Sequence, residues 1–130
     1  MSDLIPLHVS ERRSLRVERE HTAKELGSGS VEVLATPMLI ALMEAAALDA
    51  VQKYLADGWT TVGTRVDVEH LRATPLGGTV TAEATLVKRD DRVLEFAVIA
   101  RDTSGIVGQG AHWRAIIDET KFMSRLKRSP

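Results

Sequence analysis

One glutamate lies in the least polar stretch of this 130-residue chain. Glu44 lies in the segment Leu39-Ile-Ala-Leu-Met-Glu-Ala-Ala-Ala-Leu48, and all the remaining residues of that segment are apolar. Glutamate is rarely buried without a partner, and a carboxylate in apolar surroundings becomes a stronger base. Glu44 is therefore the first candidate for a general base or a nucleophile. The alternative is a structural glutamate that points to solvent or satisfies a neighbour.

Two further residues carry side chains that suit the same chemistry. His70 shares the predicted core-facing phase of its strand with three valines, a position where a lone histidine is more often structural. Thr36 precedes Pro37, a favoured first residue of a helix, so Thr36 is predicted to cap the helix N-terminus. The free N–H groups and the positive dipole end at that terminus suit a developing oxyanion.

The spacing of Thr36 and Glu44 limits how they can cooperate. Eight helical residues separate their Cα atoms by roughly 12 Å along the axis, so both side chains do not easily reach one carbonyl carbon. If both act on one reacting centre, we expect them to come from two copies of the chain.

The segment that carries these residues has the clearest helix pattern in the sequence. No glycine or proline occurs over residues 38–55, and Asp57-Gly58 is expected to end the helix. Over residues 38–48 the helix is apolar nearly all round, which predicts cover on most sides. Because one flat sheet cannot supply that cover, we expect a sheet that curls around the helix or a second subunit that completes the enclosure.

Apolar residues recur with a period of two on both sides of this helix, as in half-buried strands. A loosely alternating, charged segment at residues 11–21 precedes the helix and is predicted as a half-exposed strand. Strands are predicted over residues 60–72, 79–88, 94–100 and 107–117, with a short terminal helix over about residues 119–128. Short turns connect antiparallel neighbours. The pattern therefore predicts one α+β domain over residues 1–130, with a curved antiparallel sheet of about five strands wrapped around one long central helix.

Composition excludes several other kinds of chemistry. The chain has no cysteine, which rules out a disulfide framework and a thiolate nucleophile. Its net charge of −1 provides no basic field for nucleic acid, and the apolar stretch at residues 33–48 is too short and polar to span a bilayer. The four histidines are widely spaced, so no metal site is expected. Together with an N-terminus unlike a signal peptide, these features are typical of a cytoplasmic protein.

Three motifs, taken together, resemble one family of enzymes. They are Ala35-Thr-Pro-Met-Leu-Ile-Ala-Leu-Met-Glu44, Gly63-Thr-Arg-Val-Asp-Val-Glu-His70 and Ala73-Thr-Pro-Leu-Gly77, followed by Gly108-Gln-Gly-Ala-His-Trp-Arg-Ala-Ile116 in the last strand. Over about residues 31–117 the chain resembles the hotdog-fold thioesterases, in particular the fluoroacetyl-CoA thioesterase branch. The resemblance implies a hotdog fold, hydrolysis of an acyl-CoA thioester, and a homodimer or dimer of dimers with sites at the subunit interface.

The same resemblance implies roles for individual residues. Thr36, Glu44 and His70 would form the catalytic group, Gly63 would offer a backbone N–H to the thioester carbonyl, and Thr64 would lie beside it in the substrate-binding segment. Coenzyme A is then part of the substrate, and no separate cofactor is implied. The fluoroacetyl-specific enzyme has phenylalanines in a lid ahead of the helix, whereas Gly27-Ser-Gly-Ser30 contains none, so we expect a different, small or medium acyl group.

Several alternatives remain open at this point. Glu44 could attack the carbonyl carbon to form an anhydride, or it could activate a water molecule. A hotdog hydratase or dehydratase would instead place an acid–base pair at a proton next to the carbonyl. The same fold could also serve a non-catalytic acyl-CoA-binding module, or a structural dimer in which Glu44 and His70 satisfy each other.

Overall fold

A five-stranded sheet and one long helix make up most of the computed structural model, which describes residues 2–128. The strands are β1 (Ser10–Arg16), β2 (Trp59–His70), β3 (Thr79–Asp90), β4 (Val93–Asp102) and β5 (Gly105–Asp118). The helices are α1 (Ala23–Leu26), α2 (Thr36–Gln52) and α3 (Glu119–Arg128), with 3₁₀ turns at Ser2–Leu4 and Arg19–His21. The strand order is β1-β3-β4-β5-β2, and every neighbouring pair is antiparallel. The predicted α+β architecture is confirmed.

One face of the sheet packs against α2. The inward residues of β3 and β4 are those that the period of two predicts, and all are almost fully buried: Val80, Ala82, Ala84, Leu86, Leu94, Phe96, Val98 and Ala100. The helix buries Leu39, Leu42, Met43, Ala46, Ala47, Ala50 and Val51 against them. Each large aliphatic side chain removed from water in this way contributes about 1.5–3 kcal/mol. This core holds α2 at a fixed position over the sheet.

Within one chain, α2 is covered on one side only. Ala41 is exposed, and Ile40, Ala45 and Leu48 are half-buried, so an apolar strip of the helix is incompletely covered by residues 2–128. The sheet alone therefore does not supply the cover on most sides that the sequence pattern predicts. No helix within residues 2–128 is long and apolar enough to cross a membrane.

The ends of α2 differ from the prediction. Ala35 is the N-cap, with an extended backbone and no capping side-chain bond, and Thr36 is the first helical residue. The prediction that Thr36 caps the helix is therefore wrong, because its hydroxyl bonds elsewhere. The helix also ends at Gln52, before Leu55, because the chain tightens into turns in which the N–H of Tyr54 donates to the carbonyl of Val51.

Strand β2 lies at the edge of the sheet and contains a β-bulge. Its register with β5 shifts between Gly63 and Arg65, which inserts one residue, Thr64. Directly opposite residues of paired strands share a face. Thr61 lies opposite buried Ile116, whereas Val62 lies opposite Ala115 on the other face.

The bulge corrects the predicted phase of the first half of β2. Val62 and Thr64 do not share the inner face with Val66 and His70, because the inserted residue shifts the alternation by one position. Gly63 takes the inward position instead. Val66 does lie opposite the fully buried His112, yet it is 40% exposed because no element in the described part of the chain covers this region of the inner face.

Candidate active site

Thr36 and His70 lie together where α2 begins and β2 ends. Oγ1 of Thr36 is 2.8 Å from Nδ1 of His70. The hydroxyl is available for this contact because the helix N-cap is Ala35. Pro37 has no N–H, and the N–H groups of Met38 and Leu39 donate to the carbonyl of Ala35, so in the first turn the N–H of Thr36 is left at the positive end of the helix dipole. A hydroxyl, an imidazole and one backbone N–H donor therefore converge here, which suits acyl transfer.

Burial sets the protonation state of His70. It lowers the pKa of the ring from its ordinary value of 6.5, and the backbone of Arg72 acts in the opposite direction by raising it. The net lowering keeps the imidazole neutral at pH 7. Nε2 of His70 is buried and has no hydrogen-bond partner among residues 2–128. Such an unpaired group in a native structure calls for an explanation, and a ligand or water at this position supplies one.

A cavity of about 360 Å³ opens beside the Thr36–His70 pair. Its wall includes Ser28 from the loop after α1, together with Pro37 and Arg72. The size lies within the range of small-molecule sites. The predicted loop Gly27-Ser-Gly-Ser30 thus contributes to the cavity through a small hydroxyl side chain.

A carboxylate anchors the segment that follows His70. Asp102 accepts hydrogen bonds from Nη2 of Arg72 at 2.5 Å, from Oγ1 of Thr74 at 2.9 Å and from the backbone N–H of Ser104 at 2.8 Å. Burial alone would raise the pKa of Asp102, but these donors outweigh it and lower the pKa below its usual value. The ionised carboxylate fixes Arg72 at the cavity wall and restrains the backbone next to His70.

Glu44 lies two turns further along α2, in a second cluster. Its side chain is 38% exposed, and Oε2 lies 3.8 Å from Nη1 of Arg114 and 3.9 Å from Nε2 of His112. The same oxygen rests over Gly63, where an added Cβ would overlap it. A side chain at this place would push the flexible end of Glu44 away, so the inward position of Gly63, set by the bulge, allows the carboxylate to reach the strand.

Neither of the two basic residues in this cluster is predicted from the sequence as a site residue. His112 is 0% exposed and Arg114 is 6% exposed. Arg114 donates from Nε to Oγ1 of Thr61 at 2.7 Å and from Nη2 to the carbonyl of Thr61 at 2.9 Å. A signal for both residues exists, because positions 112, 114 and 116 share the inward phase of the last strand. Burial of a polar side chain costs free energy unless it finds a hydrogen-bond or ionic partner, so two such residues in the inward phase indicate a polar cluster.

The hydrogen bonds of His112 define its neutral form. Nδ1 lies 2.8 Å from the carbonyl of Arg65 and must donate to it, so Nε2 accepts from Nη1 of Arg114 at 3.1 Å. Burial lowers the pKa of His112; the Arg65 carbonyl raises it, the charge of Arg114 lowers it further, and Glu44 raises it. Burial also lowers the pKa of Arg114, which the charge of Glu44 raises. The cluster therefore pairs one guanidinium with one carboxylate over a neutral imidazole.

The predicted site residues fall into two groups within one chain. No hydrogen bond or ion pair in residues 2–128 joins Glu44 to His70 or Thr36. Thr64 occupies the bulge, and its hydroxyl donates to the carbonyl of Trp113 at 3.2 Å. Within the same described part of the chain, no three His, Asp or Glu side chains gather as candidate metal ligands.

Known structures share this arrangement of helix and sheet. A thioesterase superfamily member from Thermus thermophilus is 25% identical and superposes with a TM-score of 0.87, over 95% of this chain and 92% of that one. The solved fluoroacetyl-CoA thioesterase FlK is 32% identical with a TM-score of 0.88, over 96% of this chain and 98% of that one. Variants of FlK have been solved with acetyl-CoA, and with fluoroacetate and CoA. These matches define the fold as the hotdog fold and the class as the hotdog-fold thioesterases.

The sequence defines the family more narrowly. A family model described as fluoroacetyl-CoA-specific thioesterase matches residues 17–120. The fluoroacetyl-CoA thioesterase of Streptantibioticus cattleyicolor is 39% identical over 97 residues, which cover 75% of this chain and 70% of that protein. The chain belongs to the fluoroacetyl-CoA-specific thioesterase family, whose members are thioester hydrolases, and the resemblance of the three motifs is confirmed.

Proposed function

We propose that this protein hydrolyses a small or medium acyl-CoA thioester to a carboxylate and free coenzyme A, at a site shared by two copies of the chain. Membership of the thioesterase family supports the reaction. The observation that carries the proposal is the Glu44 carboxylate, which rests over the backbone of Gly63 beside Arg114. A base in that position faces a backbone donor that can polarise a carbonyl, which is the geometry that acyl transfer needs.

A second copy of the chain would bring the two groups of site residues together. Strand β2 is an edge strand, so its outer N–H and C=O groups have no strand partner among the described residues and can pair with another strand. Antiparallel pairing about a twofold axis between Val66 and Asp67 would set Gly63 opposite the partner subunit's His70. Glu44 of one copy would then face the partner subunit's Thr36 and His70 across one cleft.

Exposed apolar surface supports this assembly. Val66 is 40% exposed on the inner face of β2, and the uncovered strip of α2 includes Ala41. Contiguous apolar surface on a globular protein commonly marks a contact with another chain. Twofold dimers are the commonest symmetric assemblies, and a dimer, or a dimer of dimers built from it, would bury both surfaces.

Hydrolysis at such a site would use Glu44 in one of two ways. It would remove a proton from a water molecule that attacks the thioester carbonyl, or it would attack the carbonyl itself to give an anhydride that water then opens. The N–H of Gly63 and the N–H of Thr36 at the start of α2 would hold the oxyanion. His70 would orient the water or deliver a proton to the leaving thiolate. Coenzyme A enters as part of the substrate, and this chemistry needs no other cofactor and no metal.

The short contact between Thr36 and His70 favours a second mechanism for the same reaction. A hydroxyl 2.8 Å from an imidazole nitrogen matches a nucleophile with its base, so Thr36 would attack the carbonyl while His70 takes the proton. Water activated by Glu44 would then cleave the threonyl ester. Intact-mass measurement after rapid mixing separates the routes, because an acyl adduct that is absent from Thr36→Ala indicates the threonine route.

The test of the proposed function is release of free thiol from a panel of acyl-CoA thioesters, measured with a thiol-reactive dye. The wild-type protein should release CoA, and Glu44→Gln should reduce the rate by about 100-fold or more while the fold is retained. The matched control is Glu119→Gln, the same change at an exposed residue. Binding of acyl-CoA without release would indicate a binding module, and water addition to an enoyl-CoA would indicate a hydratase. Either result would overturn the proposal.

A further inference from the structure

A small cavity lined by basic side chains lies at the start of β2, whereas His70 lies at the other end of the same strand. Its volume is about 100 Å³. Arg92 comes from the turn between β3 and β4, and Lys121 and Arg125 come from α3. The rest of the wall is formed by Trp59, Ile117, Asp118 and Phe122. Two separate elements therefore bring positive charge to one concave place.

The charge balance of this cavity favours an anion. Asp118 is the one acidic residue among the described residues of the wall, and its Oδ1 already accepts the backbone N–H of Lys121 at 3.1 Å. Lys121 and Arg125 are four residues apart on α3, a spacing that places both side chains on one side of the helix. Arginine and lysine clusters of this kind bind phosphate groups.

An aromatic face accompanies the basic side chains. The guanidinium of Arg92 lies over the indole of Trp59, with Cζ 5.4 Å from the ring centroid. Trp59 is half-buried, so part of its ring borders the cavity. Indole rings stack on nucleic acid bases in many binding sites, and neighbouring cations hold the attached phosphates. The combination is suited to a nucleotide rather than to a simple anion.

The distance from the proposed active site matches the shape of an acyl-CoA molecule. Trp59 precedes Gly63 by four residues on the same strand, which corresponds to roughly 13 Å. In coenzyme A, the pantetheine arm separates the thioester from the nucleotide phosphates, and an extended arm covers such a distance. The cavity therefore lies where the far end of the substrate could reach it.

We propose that Arg92, Lys121 and Arg125 bind phosphate groups of the coenzyme A nucleotide and that Trp59 contacts its adenine ring. This inference rests on the proposed acyl-CoA hydrolysis. It makes coenzyme A the acyl carrier, because the phosphopantetheine arm of a carrier protein has no adenine nucleotide that could place a phosphate in the cavity and its base beside Trp59.

A binding measurement tests the cavity without any turnover. In a Trp113→Phe background, Trp59 is the remaining tryptophan of the chain and reports on its surroundings by fluorescence. Titration with adenosine 3′,5′-bisphosphate should give a saturable change that Lys121→Glu abolishes. The matched control is Lys127→Glu, which makes the same charge change on α3 but lines a different cavity. Equal weakening by the two reversals, or no fluorescence change at all, would overturn the proposal.

A kinetic measurement links the cavity to the substrate. The ratio of kcat/KM for an acyl-CoA to that for the matching acyl-pantetheine should fall by roughly three- to tenfold in Lys121→Glu and in Arg92→Ala. Lys127→Glu should leave the ratio unchanged. An unaltered ratio in all three variants would show that the nucleotide lies elsewhere. If the wild-type protein hydrolyses neither thioester, the proposed function fails, while the fluorescence titration still decides whether the cavity binds a nucleotide.

Discussion

Oγ1 of Thr36 lies 2.8 Å from Nδ1 of His70, although 34 residues separate the two in the chain. The contact joins the first turn of α2 to the last residue of β2. It uses a hydroxyl that a helix-start pattern assigns to capping, and it leaves Nε2 of His70 buried without a partner in the described residues. The reactive hydroxyl of Thr36 and the imidazole of His70 thus meet at the N-terminal end of α2.

Replacement of Thr36 by alanine should lower kcat by about 100-fold while stability stays within about 0.5 kcal/mol of wild type. The reason is that Ala35, not Thr36, is the N-cap, so the usual loss of about 1 kcal/mol for a removed cap does not apply. Thr36→Ser keeps the hydroxyl and should retain most activity. Thiol release and thermal unfolding measure the two effects. A lowered Tm with unchanged kcat would instead assign Thr36 a structural role.

Gly63→Ala should reduce turnover by about 100-fold or more, because the new methyl group would overlap Oε2 of Glu44 and displace the carboxylate. Gly63 is not among the glycines with a left-handed backbone, so its backbone can accept alanine without strain. The conflict is therefore between the new methyl group and the Glu44 side chain. Gly105→Ala is the control, since Gly105 has φ 128° and open space around its Cα. That variant should lose stability but keep its kcat. Wild-type kcat in Gly63→Ala would contradict the position of Glu44.

Stability should fall as the pH drops below about 6.5. Burial lowers the pKa of His112 and of His70 from the ordinary value of 6.5. Each ring stays neutral in the native state while the unfolded chain takes up a proton near that value. Their stabilising contribution is therefore present above pH 6.5 and is lost as the pH falls toward the native pKa.

Urea denaturation between about pH 8 and pH 5 measures this loss. His112→Gln keeps a neutral side chain that can still donate and accept hydrogen bonds. It therefore removes one of these two buried rings without leaving its hydrogen-bond partners unpaired. The variant should lose less stability over the pH range than the wild-type protein does. Identical pH dependence in both proteins would show that His112 does not titrate as its burial predicts.

Val66→Glu should weaken the proposed dimer by about tenfold or more, because it would bury an unpaired carboxylate in the contact between two β2 strands. Activity should fall in parallel at low protein concentration, since the site would be divided between chains. The matched control is Val93→Glu at another exposed valine, which should change neither property. Sedimentation velocity gives the oligomeric state. A fully active monomer would remove the shared-site proposal.

Much of the fold is predictable from the sequence because burial imposes a period on it. The alternation of Val80, Ala82 and Ala84 in β3 continues in β4, and these residues are buried as the period requires. The apolar run over residues 39–48 similarly identifies the long helix, and Glu44 is the one carboxylate within that run. The three motifs also contain Thr36 and His70, so the candidate residues are visible before their arrangement is known.

The amino-acid sequence by itself determined which segments are buried and which side chains carry chemistry, because both depend on residue type and local period. Only the tertiary structure decided their partners. The bulge at Thr64 turns Gly63 toward Glu44, and packing of β5 brings His112 and Arg114 to the same carboxylate. A single inserted residue leaves no local pattern, and contacts between distant strands depend on register. These relationships therefore arise only when the strands of the sheet pair and pack against the helix.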